Sequence, residues 1–177
     1  MQTGLDSLFP IESDRLRLSP LTPADAAALQ AISDHPVILG SITFLPRPFG
    51  IAEAEVLIRA RGDGRDRFVG VWSRTDGTLA GVLGVHLQGE SRVEIGYWIA
   101  PDRHGSGYAT EAGRALLRRL REAAPERQVV ARAFADNTGS RRVLAKLGFV
   151  PAAEAGLDPD PLLFVLPASL SGASGPA

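Results

Sequence analysis

The sequence predicts a mixed α/β (α+β) fold, a central sheet with helices packed on it, and three observations carry that prediction. Apolar, partly β-branched runs crowd the middle of the chain, from 68 to 99, and follow one another through short turns. Helical patterns lie on both sides of that block, and a strand-like run returns near the C-terminal end. The order is therefore strand, two helices, three strands, helix, strand, helix, strand. The 177 residues, 45% hydrophobic and 22% charged, suit one compact domain with its own core. No repeat or shift in composition divides residues 14–166, so a single domain over 1–177 is expected, with 1–13 and 168–177 as loose termini.

Taken in order, Arg15-Leu16-Arg17-Leu18 alternates polar and apolar and stops at Pro20, as a half-buried strand does. Thr22-Pro23-Ala24-Asp25 offers an N-cap, a proline at the first helical position and an early acid, ahead of a helix over 26–32. Residues 34–50 hold Pro36, Pro46, Pro48 and two glycines, and read as a loop. Helical character returns over 51–61, with Glu53 and Glu55 near the start and Arg59 and Arg61 near the end, matching the helix dipole. The runs 68–72 and 79–87 flank Thr75-Asp76-Gly77, a hairpin turn, and Gln88-Gly89-Glu90 turns the chain into 91–99, completing a three-stranded meander. A helix over 110–122 presents Ala112, Ala115, Leu116 and Leu120 on one face. A strand over 129–134, a short helix over 139–147 capped by Gly148, and a last strand over 162–166 complete the reading.

Several classes are disfavoured by composition. There is no cysteine, and at this length roughly 70% of the unfolded surface is buried on folding, so neither disulfides nor a structural metal is required. The net charge of −1 gives no basic surface for nucleic acid. No apolar run approaches the roughly 20 residues of a membrane span, and the first residues do not resemble a secretory signal, so a cytoplasmic location is expected. His35, His86 and His104 show no ligand spacing, so no metal site is expected. Trp72 and Trp98 read as core or cleft-wall aromatics, and Arg114, Arg118, Arg119 and Arg121 as a solvated helix face.

The chemistry concentrates where the third meander strand, ending Glu94-Ile95-Gly96-Tyr97-Trp98-Ile99-Ala100-Pro101, runs into Asp102-Arg103-His104-Gly105-Ser106-Gly107-Tyr108-Ala109. Gly105 and Gly107 let the backbone take positive φ and approach a ligand closely, and the next helix aims its N-terminus at the same point, a combination suited to phosphate oxygens. The glycines alone are equally consistent with a tight turn that binds nothing. No Lys-Ser or Lys-Thr pair follows them, and the preceding hairpin meander is not a βαβ unit, so nucleoside-triphosphate and dinucleotide loops are set aside.

Together with Asp14 to Leu18, Leu21 to Ala26, Ile95 to Ile99, Gly105 to Ala112, Asn137 to Ser140 and Gly148-Phe149, these motifs resemble the GNAT superfamily of acetyl-CoA-dependent N-acetyltransferases. Within it the chain is similar to the branch of the RimJ and RimL ribosomal-protein N-terminal acetyltransferases. The resemblance covers nearly the whole chain and implies a central mixed sheet of about seven strands, an antiparallel meander in its middle, flanked by about four helices. It implies acetyl-CoA as co-substrate, with His104, Gly105, Ser106, Gly107, Tyr108 and Ala109 as the pyrophosphate loop. His104 stands where the family has Gln or Arg, and the neighbouring Arg103 is the alternative source of charge. Trp98, Ile99 and Ala100 resemble the strand end whose backbone pairs with the pantetheine arm, and Asn137 resembles the side chain that bonds the cofactor, with Ser140 one turn beyond.

Acetyl transfer to an amine needs a proton acceptor, polarisation of the thioester oxygen and a proton for the departing sulfur. Glu94 shares a strand face with Gly96 and Trp98 by period two and is the first choice as base, directly or through water; the alternative is a surface carboxylate paired with an arginine. Backbone amides near Trp98 and Ile99 are candidate donors to the oxygen. The tyrosine that protonates sulfur in many family members aligns here with Leu144, leaving Ser140, as in RimL-like relatives, as the candidate acid, or as a serine that only contacts the cofactor. His86 is a weaker candidate base, more simply a solvated strand histidine. The expected acceptor is a primary amine, a protein N-terminus by resemblance, with small amines, amino acids and antibiotics as alternatives. A CoA-binding sensor that has lost turnover, and a homodimer, are also consistent with the sequence.

Overall fold

The computed structural model describes residues 5–60, 64–152 and 160–168. Its strands are β1 (Ile11–Glu12), β2 (Leu16–Pro20), β3 (Asp66–Ser73), β4 (Leu79–Gln88), β5 (Arg92–Ile99), β6 (Gln128–Ala133), β7 (Val150–Pro151) and β8 (Leu162–Val165). Its α-helices are α1 (Ala26–Ser33), α2 (Pro36–Ser41), α3 (Ile51–Arg59), α4 (Tyr108–Ala123) and α5 (Thr138–Lys146). All eight strands form one sheet in the order β1-β2-β3-β4-β5-β6-β8-β7. Only β5 and β6 run parallel, because α4 carries the chain across between them.

Period two on the central strands divides the core into two layers. Val93 and Ile95 of β5 and Leu83 and Val85 of β4 face Leu116 and Leu120 of α4 and Leu144 of α5. Val82 and Trp98, on the opposite face, pack against Leu29 of α1, Phe49 and Ala54 of α3. Helices thus cover both faces, and β4, buried from Leu79 to Val85, is apolar on both.

The meander, both long helices and α5 stand where the sequence puts them, within one or two residues. Three expectations are corrected. Residues 34–50 are not all loop, since α2 occupies Pro36–Ser41: Pro36 opens it and the His35 ring accepts from the Val37 amide at 3.2 Å. Residues 5–13 are not a loose terminus, because Leu5, Leu8 and Ile11 are buried in the α4-side core. Among the described residues there are eight strands and five α-helices, against about seven and four expected by resemblance and six and four read element by element; β1, β7 and α2 are the elements the latter reading lacks. Expectations for Arg61 and for residues 169–177 lie outside the described residues. No helix among the described residues is long and apolar enough to cross a membrane.

Candidate active site

The central feature is a split in the sheet. β5 pairs with β4 along its whole length, to Ile99 opposite Gly81, but with β6 only over Arg92–Ile95, opposite Gln128–Ala131. From Gly96 onward the side of β5 that faces β6 is unpaired. Ser91 and Ala100 fix the phase of the alternation: the Ser91 carbonyl accepts from Gln128 of β6, whereas the Ala100 amide donates to Ala80. The backbone groups of Tyr97 and Ile99 therefore face the gap. Trp98 and Ala100, also expected to pair there, turn their backbone toward β4; a Cβ on Gly81 would meet the Trp98 carbonyl at 2.6 Å.

At the top of the gap the chain turns through Pro101–Arg103 and enters α4. Gly105 and Gly107 take φ of +77° and +83°, the left-handed region that a side chain strains, and Gly107 is the N-cap of α4. The first intrahelical bond is Glu111 to Gly107. Among the described residues, the amides of Gly107, Tyr108, Ala109 and Thr110 have no protein acceptor and converge at the positive end of the helix dipole.

The side chains around this loop are not disposed as the sequence alone suggests. His104 Nε2 donates back to the Ile99 carbonyl at 2.8 Å, tying the loop to the strand end; a carbonyl only accepts, so the proton is on Nε2. Arg103 is turned to the β3–β4 hairpin, 2.7 Å from Asp76. Asp76 lies well below the usual carboxylate range, held there by the Thr78 hydroxyl and amide and then by Arg103. The guanidinium that touches the loop is Arg15. It donates to the Ser106 carbonyl at 3.0 Å, lies 4.8 Å over the Tyr108 ring and pairs with Glu111 at 2.7 Å. Burial raises the Glu111 carboxyl, but the Arg15 amide, the Ser13 hydroxyl and the Arg15 guanidinium outweigh it and hold the carboxyl below its ordinary value. Beside Gly107, an open groove of about 850 Å³ runs along α4, its cations Arg15, Arg74, Arg114, Arg118 and Lys146 outnumbering the carboxylates Glu12, Asp14 and Glu111.

Across the gap, Asn137 caps α5, its Oδ1 accepting from the Ser140 amide at 3.0 Å. Among the described residues its amide nitrogen has no hydrogen-bond partner. Tyr97, on the opposite face from Glu94 and Trp98, reaches Ser140, with its hydroxyl 3.0 Å from Ser140 Oγ and 3.1 Å from the Ser140 carbonyl. Burial pushes the Tyr97 phenol up to about 12, the Ser140 hydrogen bond acting in the opposite sense. Tyr97 thus stands beside Ser140, where the sequence reading had Ser140 alone. Its period-two offset from Trp98 is the signal that it points toward α5.

On the other face, Glu94 stands directly opposite His86, and His86 directly opposite Asp66. The Glu94 carboxylate accepts from Gln88 Nε2 and lies 3.6 Å from Arg132 Nε. Phe44, Phe68 and Trp98 form an aromatic wall with centroids 5.8 to 6.3 Å apart. The Trp98 indole is held by Ser33 at 3.0 Å. Phe44 remains 58% exposed, so the wall opens to solvent. Among the described residues no group of three His, Cys, Asp or Glu side chains is placed to hold a metal.

Comparison with known proteins bears on this arrangement. Residues 15–150 match the acetyltransferase (GNAT) domain family. The chain is 30% identical over 155 residues to the uncharacterized N-acetyltransferase YoaA of Bacillus subtilis (strain 168), covering 80% of this chain and 84% of that one. It superposes on Mycobacterium smegmatis RimJ, solved in complex with CoA-disulfide, with a TM-score of 0.71 and 26% identity, covering 85% and 80% of the two chains. RimL, described as a ribosomal L7/L12 alpha-N-protein acetyltransferase in complex with coenzyme A, shares the fold with a TM-score of 0.76 at 17% identity, over 89% and 97%.

Proposed function

The chain belongs to the GNAT acetyltransferase family and is an N-acetyltransferase using acetyl-CoA; from that premise we propose that its acceptor is the free α-amine of a protein N-terminus. Acetyl-CoA supplies an acetyl group activated as a thioester. The observation that carries the reading is the split between β5 and β6, which opens beneath a loop of unpaired amides. The residues present suit the co-substrate. The amides of Gly107, Tyr108, Ala109 and Thr110 are donors available to the pyrophosphate, with Arg15 bracing the loop. The Tyr97 backbone and the Ile99 amide offer an open strand edge to the pantetheine arm, the Ile99 carbonyl being already bound by His104. The Asn137 amide nitrogen is available to the co-substrate, and Arg114, Arg118 and Lys146 in the groove beside Gly107 suit further phosphate charge.

The two faces of β5 divide the remaining work. Ser140, hydrogen-bonded to Tyr97, serves the departing sulfur. Glu94 supplies the negative charge that draws the amine's proton, directly or through an intervening group. The acceptor assignment is supported by the solvent-open aromatic wall and by the RimJ and RimL likeness.

Release of free thiol from acetyl-CoA tests the reading. Peptides with free N-termini are expected to support release, and the same peptides blocked at the N-terminus are not. Release with small amines alone would overturn the acceptor, and CoA binding without release for any amine would make the chain a CoA-binding regulator. Glu94→Gln is expected to lower kcat by about 10²-fold or more while leaving the Kd for CoA unchanged.

A further inference from the structure

Within that acetyl-transfer reading, on which this inference rests, we propose that His86, oriented by Asp66, takes the proton from the acceptor amine, with Glu94 as the charge partner of the imidazolium that results. His86 Nδ1 lies 2.7 Å from Asp66 Oδ1. An ionised carboxylate only accepts, so the proton of the neutral ring sits on Nδ1 and Nε2 is left with its lone pair. The other histidines are used elsewhere: His35 Nδ1 accepts from Val37, and His104 Nε2 is bound to Ile99.

The direction of the ring decides between His86 and Glu94. A Cβ on Gly84 would lie 2.6 Å from His86 Nε2, so the imidazole leans along β4 over that glycine. Gly84 stands directly opposite Gly96, where a Cβ would meet nothing within 4 Å. Two strands thus lack side chains at the same level, making a bare floor beside the point where β5 and β6 part. Phe68, edge-on to the His86 ring at 5.4 Å, and Trp98 wall that floor. Glu94 is drawn the other way, toward Gln88, which lies four residues, about 13 Å of strand, beyond Gly84. The atoms nearest a Cβ on Gly84 are His86 Nε2 and Cε1 and Phe68 Cε1, so the one basic atom among them is His86 Nε2.

In the transfer, the amine nitrogen bonds to the acetyl carbon as the carbon–sulfur bond breaks; the electron pair leaves on sulfur, and the proton shed by nitrogen goes to Nε2. The imidazolium then lies between Asp66 on β3 and Glu94 on β5, whose Cβ in a directly opposed pair is about 5 Å away. Arg132 of β6 is the nearby cation and is itself paired with Glu94. On the imidazole's own side the ring contact is Phe68, and behind it Phe44 and Ser33 meet Trp98. Asp66 acts as a positioning residue through the ring.

Two measurements test this. Long-range ¹⁵N–¹H correlation spectra of the ligand-free protein, which has three histidines, are expected to show neutral His86 protonated at Nδ1, and Asp66→Ala to lose that preference. In steady-state kinetics, His86→Gln is expected to lower kcat by about 10²-fold or more with CoA affinity unchanged, and to make the acid limb of the kcat/KM profile shallower, leaving the part that belongs to the acceptor's own α-amine. Glu94→Gln is expected to slow the reaction yet keep the wild-type steepness. A ring protonated at Nε2, or an acid limb left unchanged by His86→Gln and made shallower by Glu94→Gln, would overturn the assignment to His86 alone. A wild-type protein inert toward every amine would overturn the acetyl-transfer reading with it.

Discussion

Gly107 shows how much one residue decides. Its φ of +83° sets the turn that points four amides at one place, and a β-branched side chain there meets strain even though the nearest atom, Arg15 Nη2, would be 3.5 Å away. Gly107→Val is therefore expected to weaken CoA binding by at least tenfold in calorimetric titration; unchanged affinity would remove the loop from the binding site. This residue was legible in the sequence because turn chemistry is local: two glycines, one residue apart, announce it without help from the rest of the chain. Arg15 was not legible. Its bonds to Ser106 and Glu111 join residues 91 and 96 positions apart, and in sequence it is only a polar member of an alternating strand. Arg103, beside the glycines, was the natural candidate for the loop's charge, but Asp76 holds it at the hairpin.

At the scale of elements, periodicity was a good guide wherever an element spans several turns or pairs. It failed for α2, where prolines and glycines counted over seventeen residues obscured a six-residue helix whose own proline is its first residue. Strand faces were legible too: Glu94 and Trp98 were placed correctly together, yet how far each side chain leans along its strand depends on neighbours from other strands. The packing of α4 on α5 gives a direct test. A Cβ on Gly113 would approach Leu147 Cδ1 to 2.7 Å, near the flexible end of that side chain. Gly113→Ala is expected to be close to neutral, since the helix gains up to about 1 kcal/mol in propensity against the crowding. Gly113→Val is expected to lose about 1–3 kcal/mol by overpacking, as read from urea denaturation.

The molecule as a whole carries a buried phenol whose ionisation opposes folding. Tyr97 is raised from 10.0 to about 12, so between those values the unfolded chain has lost a proton that the folded one keeps. Its stabilising contribution is complete below pH 10 and is lost as pH rises toward 12, by roughly 3 kcal/mol in all. Denaturant midpoints are expected to fall more steeply across that range in the wild type than in Tyr97→Phe, and parallel curves would refute the burial. The split sheet has a different consequence, one of assembly. The meander from β3 to β5 closes through short turns, whereas β6 and β8 join it through a four-residue parallel ladder that must wait for the α4 crossover. The cleft is thus the seam between an early-forming half and a late-docking one. A change that loosens β8, however far from any reacting atom, will show itself as lost co-substrate affinity before the meander melts, so the binding site reports on the weakest joint of the fold.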